Sequence, residues 1–479
     1  MTRRGTRSAL ADALAARRFC YVVELVASGL TRESRVLEVA ARLARVPDVV
    51  AGSVTSYAGG AIGQDPLRVG TAARARGLPP NIHLTCVSQD RRGLAKTLED
   101  LHALDLHDVF ALTGDYPRGD DAPAPVFDLD SVQLVSLVAE LRRAGMPFHV
   151  AVAVSPFKYV EADCRYQYLK LEKKIAAGAD LAITQVGWDA RKFAELRRYL
   201  DERGLTTPVL GNVYVLGPRA AARMATGQPP GCWVSPELLE IVREECRAPD
   251  GGLEARLERA ARTVAVLRGV GYAGAYIGGT HDADHIQRII RRAEELRPRW
   301  EELAQELTFG REGGFYVYDS APRRARPVSI RLPQTLDALG RLLPLTREGA
   351  LRRMLRRVFA WIDRRPVLAR ALERLELAVK RPAFGCQACG NCVLGDMEYV
   401  CPMTCPKHER NGPCGGTAHG RCEVEDKPCI WGAVYTRARA AGRLDALRAY
   451  IPPPDPTLSG TSSWINYFLD RDTRARPGR

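Results

Sequence analysis

Residues 108–115 read DVFALTGD, a short apolar run that ends in a threonine, a glycine and an aspartate. A strand buried on both faces reads as such a continuous apolar run, because neither face meets water. Seven more runs of this kind occur, at 19–27, 49–56, 81–88, 148–156, 181–188, 208–215 and 274–279. Helix-period segments separate them, such as 131–144 after an Asp130 cap and 166–177 before Gly178. The pattern predicts parallel strands joined by crossover helices.

The number of these units decides the fold class. Eight strands with intervening helices occupy residues 19–296, which is the size of a (β/α)8 barrel. We therefore predict an α/β fold: a (β/α)8 TIM barrel followed by a helical segment and a small Cys-rich metal-binding domain. A doubly wound open sheet is the alternative. The expected domains are the barrel at 1–298, a helical linking segment at 299–380, and the Cys-rich domain with a C-terminal tail at 381–479.

The composition excludes some classes of function. The chain has 479 residues and a formal charge of +14, but its basic residues are spread along helices that also carry Glu and Asp. Because no basic stripe interleaved with aromatic residues accompanies the charge, we expect no nucleic-acid partner. No apolar run is long enough to span a bilayer, and residues 1–18 lack the apolar core of a signal peptide. We expect a cytoplasmic protein without a membrane segment, whose oligomeric state stays open.

Cysteines are concentrated near the C-terminus. Eight of the thirteen lie in one stretch: Cys386, Cys389, Cys392, Cys401, Cys405, Cys414, Cys422 and Cys429. Thiolates separated by two or three residues can converge on one ion or cluster, as iron–sulfur and zinc sites require. Disulfides are the alternative, but they rarely persist in reducing compartments. We predict that these eight bind a 4Fe-4S cluster, zinc, or both, and that the other five cysteines are buried thiols.

Candidate site residues follow from the strand ends, because barrel active sites are built where the strands end and their loops converge. The polar residues in or near those ends are Glu24, Thr55, His83, Thr85, Thr113, Gly114, Asp115, Ser155, Lys158, Thr184, Gln185, Asn212, Tyr214 and Thr280. A carboxylate among Val, Leu and Ala is costly to bury without a partner, so Glu24 and Asp115 indicate a functional pocket or a paired structural role. The pair Gly278-Gly279 offers unobstructed backbone amides to a phosphate.

These segments resemble the methylenetetrahydrofolate reductase family. The resemblance covers about residues 19 to 296, and its six segments keep the family's order: 23–24, 53–55, 83–86, 111–115, 171–179 and 182–185. Residues 386–435 resemble the cysteine-rich partner subunit, or C-terminal domain, of some bacterial reductases of anaerobic one-carbon metabolism. Both parts are joined here in one polypeptide.

The resemblance implies a flavoprotein that reduces 5,10-methylenetetrahydrofolate to 5-methyltetrahydrofolate. It implies catalytic roles for Glu24 as general acid, for Asp115 beside the flavin and pterin, and for Gln185 as a hydrogen-bonding partner of the folate. The residues it implies for the cofactor are Thr55, His83, Thr113, Gly114, Asp115, Lys158, Lys173 and Lys174. Val154, Lys158 and Lys170 depart from the family's pattern, so the flavin can be FAD or FMN.

Other readings remain open on the sequence alone. The metal module is expected to carry electrons or to dock a partner, and the donor is either NAD(P)H or a reduced electron carrier such as an electron-donor protein. The same barrel can also run as a methyltetrahydrofolate oxidase. A third reading is a folate-binding methyl-transfer partner without redox chemistry of its own.

Overall fold

The computed structural model describes residues 8–26, 32–55, 57–58, 61–62, 65–117, 124–319, 335 and 349–472. Two strand ends of the sequence prediction, Ala27 and Ser56, lie outside these residues, as do 320–334 and 336–348 of the predicted linking segment. No described helix is both long enough and apolar enough to cross a membrane.

Eight parallel strands close into a barrel, which confirms the predicted (β/α)8 fold. The strands are β1 (Cys20–Val26), β2 (Val49–Thr55), β3 (Pro80–Thr85), β4 (Asp108–Leu112), β5 (His149–Val154), β6 (Leu181–Thr184), β7 (Val209–Tyr214) and β8 (Gly274–Gly278). Each pairs with its neighbours in sequence, and β1 pairs with β8 to close the ring. A short antiparallel hairpin, Tyr57–Ala58 with Ala61–Ile62, follows β2.

Helices alternate with the strands on the outside of the barrel. They are α1 (Ala9–Ala15), α2 (Glu33–Leu43), α3 (Pro66–Arg74), α4 (Arg91–Ala103), α5 (Ser131–Arg143), α6 (Glu161–Ala177), α7 (Ala190–Glu202), α8 (Pro218–Ala225), α9 (Pro236–Glu245), α10 (Leu253–Val270), α11 (Ala283–Leu296) and α12 (Trp300–Glu306). Asp130 caps α5 in a capping box with Gln133, and Gly178 ends α6 with a φ of 116°. Both boundaries match the sequence signals.

Alternation along each strand separates an inner from an outer layer. Val22 and Tyr276 belong to the cluster inside the barrel, whereas Val23 and Ile277 pack outward among the helices. The same alternation points Glu24, two residues after Val22, to the inside of the barrel. Helix α1 adds Leu10 and Ala13 to the inner cluster, so apolar side chains fill the end of the barrel opposite the polar strand ends.

The chain divides into two compact units. The first comprises residues 1–320 together with 413–426, and the second comprises 321–412 and 427–479. The second unit contains α13 (Ala350–Asp363), α14 (Pro366–Phe384), α15 (Ile430–Ala440) and α16 (Ser463–Phe468). Within it, the ring of Phe359 stacks on that of Phe468 with the ring centroids 4.5 Å apart. The 413–426 stretch therefore belongs, by its contacts, to the barrel unit.

Candidate active site

Glu24 occupies the inner face of β1 near the strand's carboxyl end. The register of the sheet places it beside Ser53 on one side and beside Gly278 on the other, and Gly278 in turn pairs with Tyr214. A Cβ on Gly278 would lie 2.8 Å from Glu24 Oε2 and 3.5 Å from Tyr214 Cδ2. An alanine at this position would therefore displace the Glu24 carboxyl, whereas its contact with the Tyr214 ring would be an ordinary one.

The electrostatics of Glu24 favour its neutral form. Burial raises the pKa of the Glu24 carboxyl, while a hydrogen bond from the Gly279 amide opposes the shift. Burial, with a smaller contribution from the Glu24 charge, raises the pKa of Tyr214 to about 12. The Glu24 side chain is half-buried, so its carboxyl remains accessible at the mouth of the barrel. The Gly279 amide, which the sequence suggested for a phosphate, is thus directed at the carboxylate.

A polar network lies next to Glu24. Ser53 Oγ is 2.8 Å from His83 Nε2, and the Ser53 side chain also hydrogen bonds with Tyr276. Burial lowers the pKa of His83 to about 3, so its imidazole is neutral near neutral pH. The His83 ring packs edge-on against Phe110 with the centroids 4.9 Å apart. The network fixes a neutral ring on the wall of the barrel.

Asp115 follows β4 in a loop that also contains Thr113 and Gly114. Gly114 has a φ of +93°, and a Cβ there would lie 3.1 Å from Thr85, so the turn requires glycine. The Asp115 side chain is half-buried. Its charge acts on the buried thiol of Cys232, as do those of Glu24 and Lys158. Burial, together with the charges of Asp115 and Glu24, raises the pKa of that thiol to about 12, while the Lys158 charge opposes the shift. Three predicted site residues, Glu24, Asp115 and Lys158, therefore all lie close to Cys232.

Two predicted residues lie elsewhere on the same rim. Gln185 follows β6 directly; its backbone amide donates to Val154 O and its Oε1 accepts from the Val186 amide at 2.8 Å. Thr55 is the buried last residue of β2, next to Val26 of β1. The structure shows no hydrogen bond that joins either side chain to Glu24 or Asp115.

Buried polar atoms without partners mark the space between these strands. Among the described residues, Ser155 Oγ and Asn212 Oδ1 are buried and make no hydrogen bond. Both belong to strand ends, of β5 and β7. Buried polar groups are normally satisfied, so these two are available to a ligand's donors and acceptors. The two atoms are therefore candidates for polar contacts with a ligand at the rim.

The lysines have other partners. Lys158 Nζ donates to Gly415 O at 2.7 Å and to Thr417 O, both in the 413–426 stretch. Lys174 Nζ donates to Ala153 O of β5 at 2.7 Å, between helix α6 and the barrel wall. Lys173 is buried on the same helix. Lys158 and Lys174, which the sequence resemblance assigned to the cofactor, thus hold backbone carbonyls of the chain itself.

The cysteines of the second unit form one clear group. A single pocket of that unit is lined by Cys386, Cys389, Cys392 and Cys401, with Lys380 and Arg410 beside them. Lys380 Nζ lies 3.5 Å from Cys392 Sγ, and Arg410 Nη2 lies 4.0 Å from Cys389 Sγ. Among the residues that the structure describes, no three His, Cys, Asp or Glu side chains stand in the geometry of a metal site.

The remaining cysteines are separate from that pocket. Cys405 lies close enough to Cys429 for their charges to interact, while Cys414 and Cys422 belong to the stretch that groups with the barrel. No disulfide forms among the described cysteines. Of the five thiols predicted to be buried, four are, and Cys246 is half-buried.

Comparisons with known proteins agree with this geometry. Residues 10–227 match the family model described as methylenetetrahydrofolate reductase, and residues 366–457 match that described as methylene-tetrahydrofolate reductase C terminal. The two matches together span more than half of the chain, and the chain belongs to the methylenetetrahydrofolate reductase family. The resemblance seen in the sequence is confirmed.

Individual relatives are distant. The chain is 28% identical over 144 residues to the 5,10-methylenetetrahydrofolate reductase of Pectobacterium carotovorum subsp. carotovorum, over 30% of this chain and 46% of that protein. It is 28% identical over 152 residues to a probable methylenetetrahydrofolate reductase (NADPH) of Caenorhabditis elegans, over 31% of this chain and 22% of that protein. The matched part is thus less than half the length of either relative.

One solved structure covers more of the chain. It is an uncharacterized protein from Clostridium thermocellum that binds two copies of 5-methyl-5,6,7,8-tetrahydrofolic acid. It aligns with a TM-score of 0.42 at 11% identity, covering 61% of this chain and 100% of that chain.

Sequence reasoning missed three members of the site. Ser53 and Tyr276 complete the network around His83, and Cys232 lies near Glu24, Asp115 and Lys158. A tyrosine inside the apolar run of β8 was the available signal for Tyr276, since an inward phenol needs a polar partner. Cys232 lies in a loop, and its sequence context offered no signal beyond burial.

Proposed function

We propose that this protein reduces 5,10-methylenetetrahydrofolate to 5-methyltetrahydrofolate, with Glu24 as the general acid. The observation that carries the proposal is the position of Glu24, a carboxyl on the inner face of β1 whose pKa burial raises. A general acid must hold its proton near neutrality, and burial shifts the Glu24 pKa in that direction by disfavouring the carboxylate. The family match, and the relatives named as reductases, support the same activity.

The reaction needs a hydride at the methylene carbon and a proton on the nitrogen that leaves as the five-membered ring opens. A reduced flavin or NAD(P)H would supply the hydride. Glu24 would supply the proton, and Tyr214, which lies against it across Gly278, would limit the positions that the carboxyl can take. Neutral His83, with Ser53, would form the wall beside the ring system without adding charge.

The rest of the rim would bind and orient the folate. Asp115 and Gln185 are half-buried groups at the ends of β4 and β6, and carboxylate and amide groups suit the donors and acceptors of a pterin. Ser155 and Asn212 add unsatisfied polar atoms on β5 and β7, the two strands that flank β6. Thr55 and Thr113, at the ends of β2 and β4, would contact the cofactor ring.

The four cysteines that line one pocket of the second unit are the candidate ligands of a metal centre. Among the described residues no three of them stand in metal-site geometry, so binding would have to draw the thiols together. We infer that Cys386, Cys389, Cys392 and Cys401 ligate an iron–sulfur cluster of the 4Fe-4S type, because four thiols are the ligand set of such clusters. The adjacent cations Lys380 and Arg410 would offset the negative charge of a thiolate-ligated cluster. Such a centre would pass electrons from an external carrier. A zinc ion at the same thiols would serve only to hold this unit together.

The activity is tested by Glu24→Gln. The amide keeps the shape of the side chain but has no acidic proton, so folate reduction should fall by about 100-fold or more, the usual contribution of a general acid. Methyltetrahydrofolate binding, followed by isothermal titration, should stay within about threefold of wild type, as expected when only a transition-state interaction is removed.

The matched control is Glu258→Gln, which removes a carboxylate from an ion pair on the outer surface of α10. It should keep wild-type turnover. Near-normal folate reduction by Glu24→Gln would show that Glu24 is not the acid. Tight folate binding by the wild-type protein without any reduction would favour the methyl-transfer reading instead.

A further inference from the structure

A segment from the cysteine-rich region is bound across helix α6 and the loop before it. Gln167 Nε2 donates to Cys414 O at 3.0 Å, and Lys170 Nζ donates to Pro413 O at 3.2 Å. Lys158 Nζ donates to two carbonyls further along, Gly415 O and Thr417 O. We call residues 413–420 the strap.

In one further contact the strap is the hydrogen-bond donor. Asp163, the third residue of α6, accepts a hydrogen bond of 2.8 Å at Oδ2 from the Gly420 amide. The barrel thus presents donors where the strap has carbonyls and an acceptor where the strap has an amide. Such a match over eight residues is what a peptide-binding groove provides, because main-chain groups are read in order.

Close approach of two backbones makes this fit specific. Gly231, in the loop between α8 and α9, has a φ of +82°, and a Cβ there would lie 2.4 Å from Gly415 O. A backbone carbonyl cannot yield as the end of a flexible side chain can. Gly231 is therefore required for the strap to reach Lys158.

The groove coincides with the place where a cofactor's charged end was expected. Lys158 is a basic residue close to the rim, since its charge acts on Cys232, as do those of Asp115 and Glu24. Its side chain is 4% exposed, so the ammonium has no room for a phosphate while both carbonyls remain. Phosphate would be the stronger acceptor for a lysine, but the strap is part of the same chain and competes at high effective concentration.

We propose that the strap takes the place of the flavin phosphates at Lys158 and Lys170, so that this protein recognises a flavin by its ring and not by its phosphate or dinucleotide end. The proposal rests on the flavin-dependent form of the proposed function. It makes Gly231, Lys158, Gln167 and Lys170 determinants of cofactor specificity that act by holding the chain's own backbone.

The test compares riboflavin, FMN and FAD on the full-length protein, with Kd measured by flavin fluorescence under anaerobic conditions. Wild type should bind the three with Kd values within about threefold of one another, since the phosphates gain no charge-assisted hydrogen bond. Gly231→Ala should displace the strap and free the lysines. Its affinity for FAD should then rise by about tenfold relative to riboflavin, the effect of one such hydrogen bond.

Gly227→Ala is the matched control. Gly227 precedes the same turn with a φ of +77°, so the alanine carries similar backbone strain, but a Cβ there meets nothing within 4 Å. Its FAD-to-riboflavin ratio should equal that of wild type. An unchanged ratio in Gly231→Ala would overturn the proposal.

Wild-type protein gives a second criterion should Gly231→Ala not fold. If wild type binds FAD about tenfold or more tightly than riboflavin, and Lys158→Gln removes that preference, the phosphates and not the strap occupy the groove. This readout involves no turnover. A failure of folate reduction would therefore leave it intact, and a failure of the strap assignment would leave the Glu24 test intact.

Discussion

Glu24 and Tyr214 come together at a single position of the barrel wall, on either side of Gly278, which has no side chain to separate them. The two residues belong to β1 and β7, which are not neighbours in the sheet, and the strand between them is β8. Their proximity depends on one missing methyl group. We therefore expect small substitutions at Gly278 to lower catalytic turnover with little change in the free energy of unfolding.

Replacing Gly278 by alanine should impair turnover with little loss of stability. The new Cβ would lie 2.8 Å from Glu24 Oε2, which can swing aside because it ends a flexible side chain. A displaced acid should lower kcat by about 100-fold, as is usual for a misplacement near 1 Å. The free energy of unfolding should change by less than about 1 kcal/mol.

Gly211→Ala provides the contrast. Gly211 lies on β7, and a Cβ there would come within 2.2 Å of Leu267 in the outer helical layer. This overpacking should cost about 1–3 kcal/mol in urea unfolding, with kcat per folded molecule unchanged. Equal losses of activity and stability in both variants would contradict the separation of roles.

Folate reduction should decline as pH rises through the elevated pKa of Glu24. Burial raises that pKa, so the acid form persists above the ordinary range of a glutamate and is lost at higher pH. Above the raised pKa, kcat should fall about tenfold per pH unit if no other group takes over. The measurement is a pH–kcat profile of wild type, and the residual rate of Glu24→Gln should lack this descending limb.

The raised pKa of Glu24 also makes the free energy of unfolding depend on pH. The folded state holds the Glu24 proton more tightly than the unfolded chain, so its stabilising contribution is full below the ordinary pKa of glutamate and is lost as pH rises through the folded-state value. Glu24→Gln should therefore gain stability relative to wild type as pH rises across that window. If the difference in free energy of unfolding between Glu24→Gln and wild type stayed constant with pH, the folded-state pKa of Glu24 would not be raised.

His83 should remain neutral well into the acid range. Its pKa is lowered by burial from 6.5 to about 3, so the imidazole binds no proton in the folded state until acid pH, whereas the unfolded chain binds one below 6.5. The pH dependence of stability therefore has the opposite sign to that of Glu24. The stabilising contribution of neutral His83 is present above pH 6.5 and declines as pH falls towards 3. Nitrogen NMR of histidine-labelled protein, assigned with His83→Gln, should show a neutral ring at about pH 5. A protonated ring there would refute the buried environment.

Removing one thiol of the four-cysteine pocket should remove the metal centre. Cys392→Ser changes a sulfur that lies 3.5 Å from Lys380 Nζ, and should lower bound iron to below about one-tenth of wild type, because a 4Fe-4S cluster needs its four thiolates. Cys246→Ser, a half-buried thiol outside the pocket, should keep the wild-type metal content. Elemental analysis of anaerobically purified protein is the readout. Zinc in place of iron would assign the pocket a structural role.

The barrel could be predicted because its signals are local. Each strand is a short apolar run, and Glu24 was visible as a carboxylate within one of them. Alternation by two residues then gave its inward direction. The capping box at Asp130 and the glycine at 178 likewise act over three or four residues, and the structure has both.

Contacts between distant segments could not be predicted in this way. The position of Tyr214 against Glu24 depends on the relative shift of three strands, which no strand encodes alone. The strap is a stronger case, because Lys158 and Gly415 are 257 residues apart and the bond joins a side chain to a backbone carbonyl. Every residue has a backbone carbonyl, so no residue type in the sequence marks the carbonyl that accepts this hydrogen bond.

The hydrogen bonds from Lys158 to the strap would have a consequence for any protein in which the two regions were separate polypeptides. A barrel chain that ended before residue 413 would keep a buried ammonium and lose both carbonyls that satisfy it. The second polypeptide would have to supply them, so folding of the barrel and association of the two subunits would become one equilibrium that depends on concentration. Joining the regions in one chain removes that dependence.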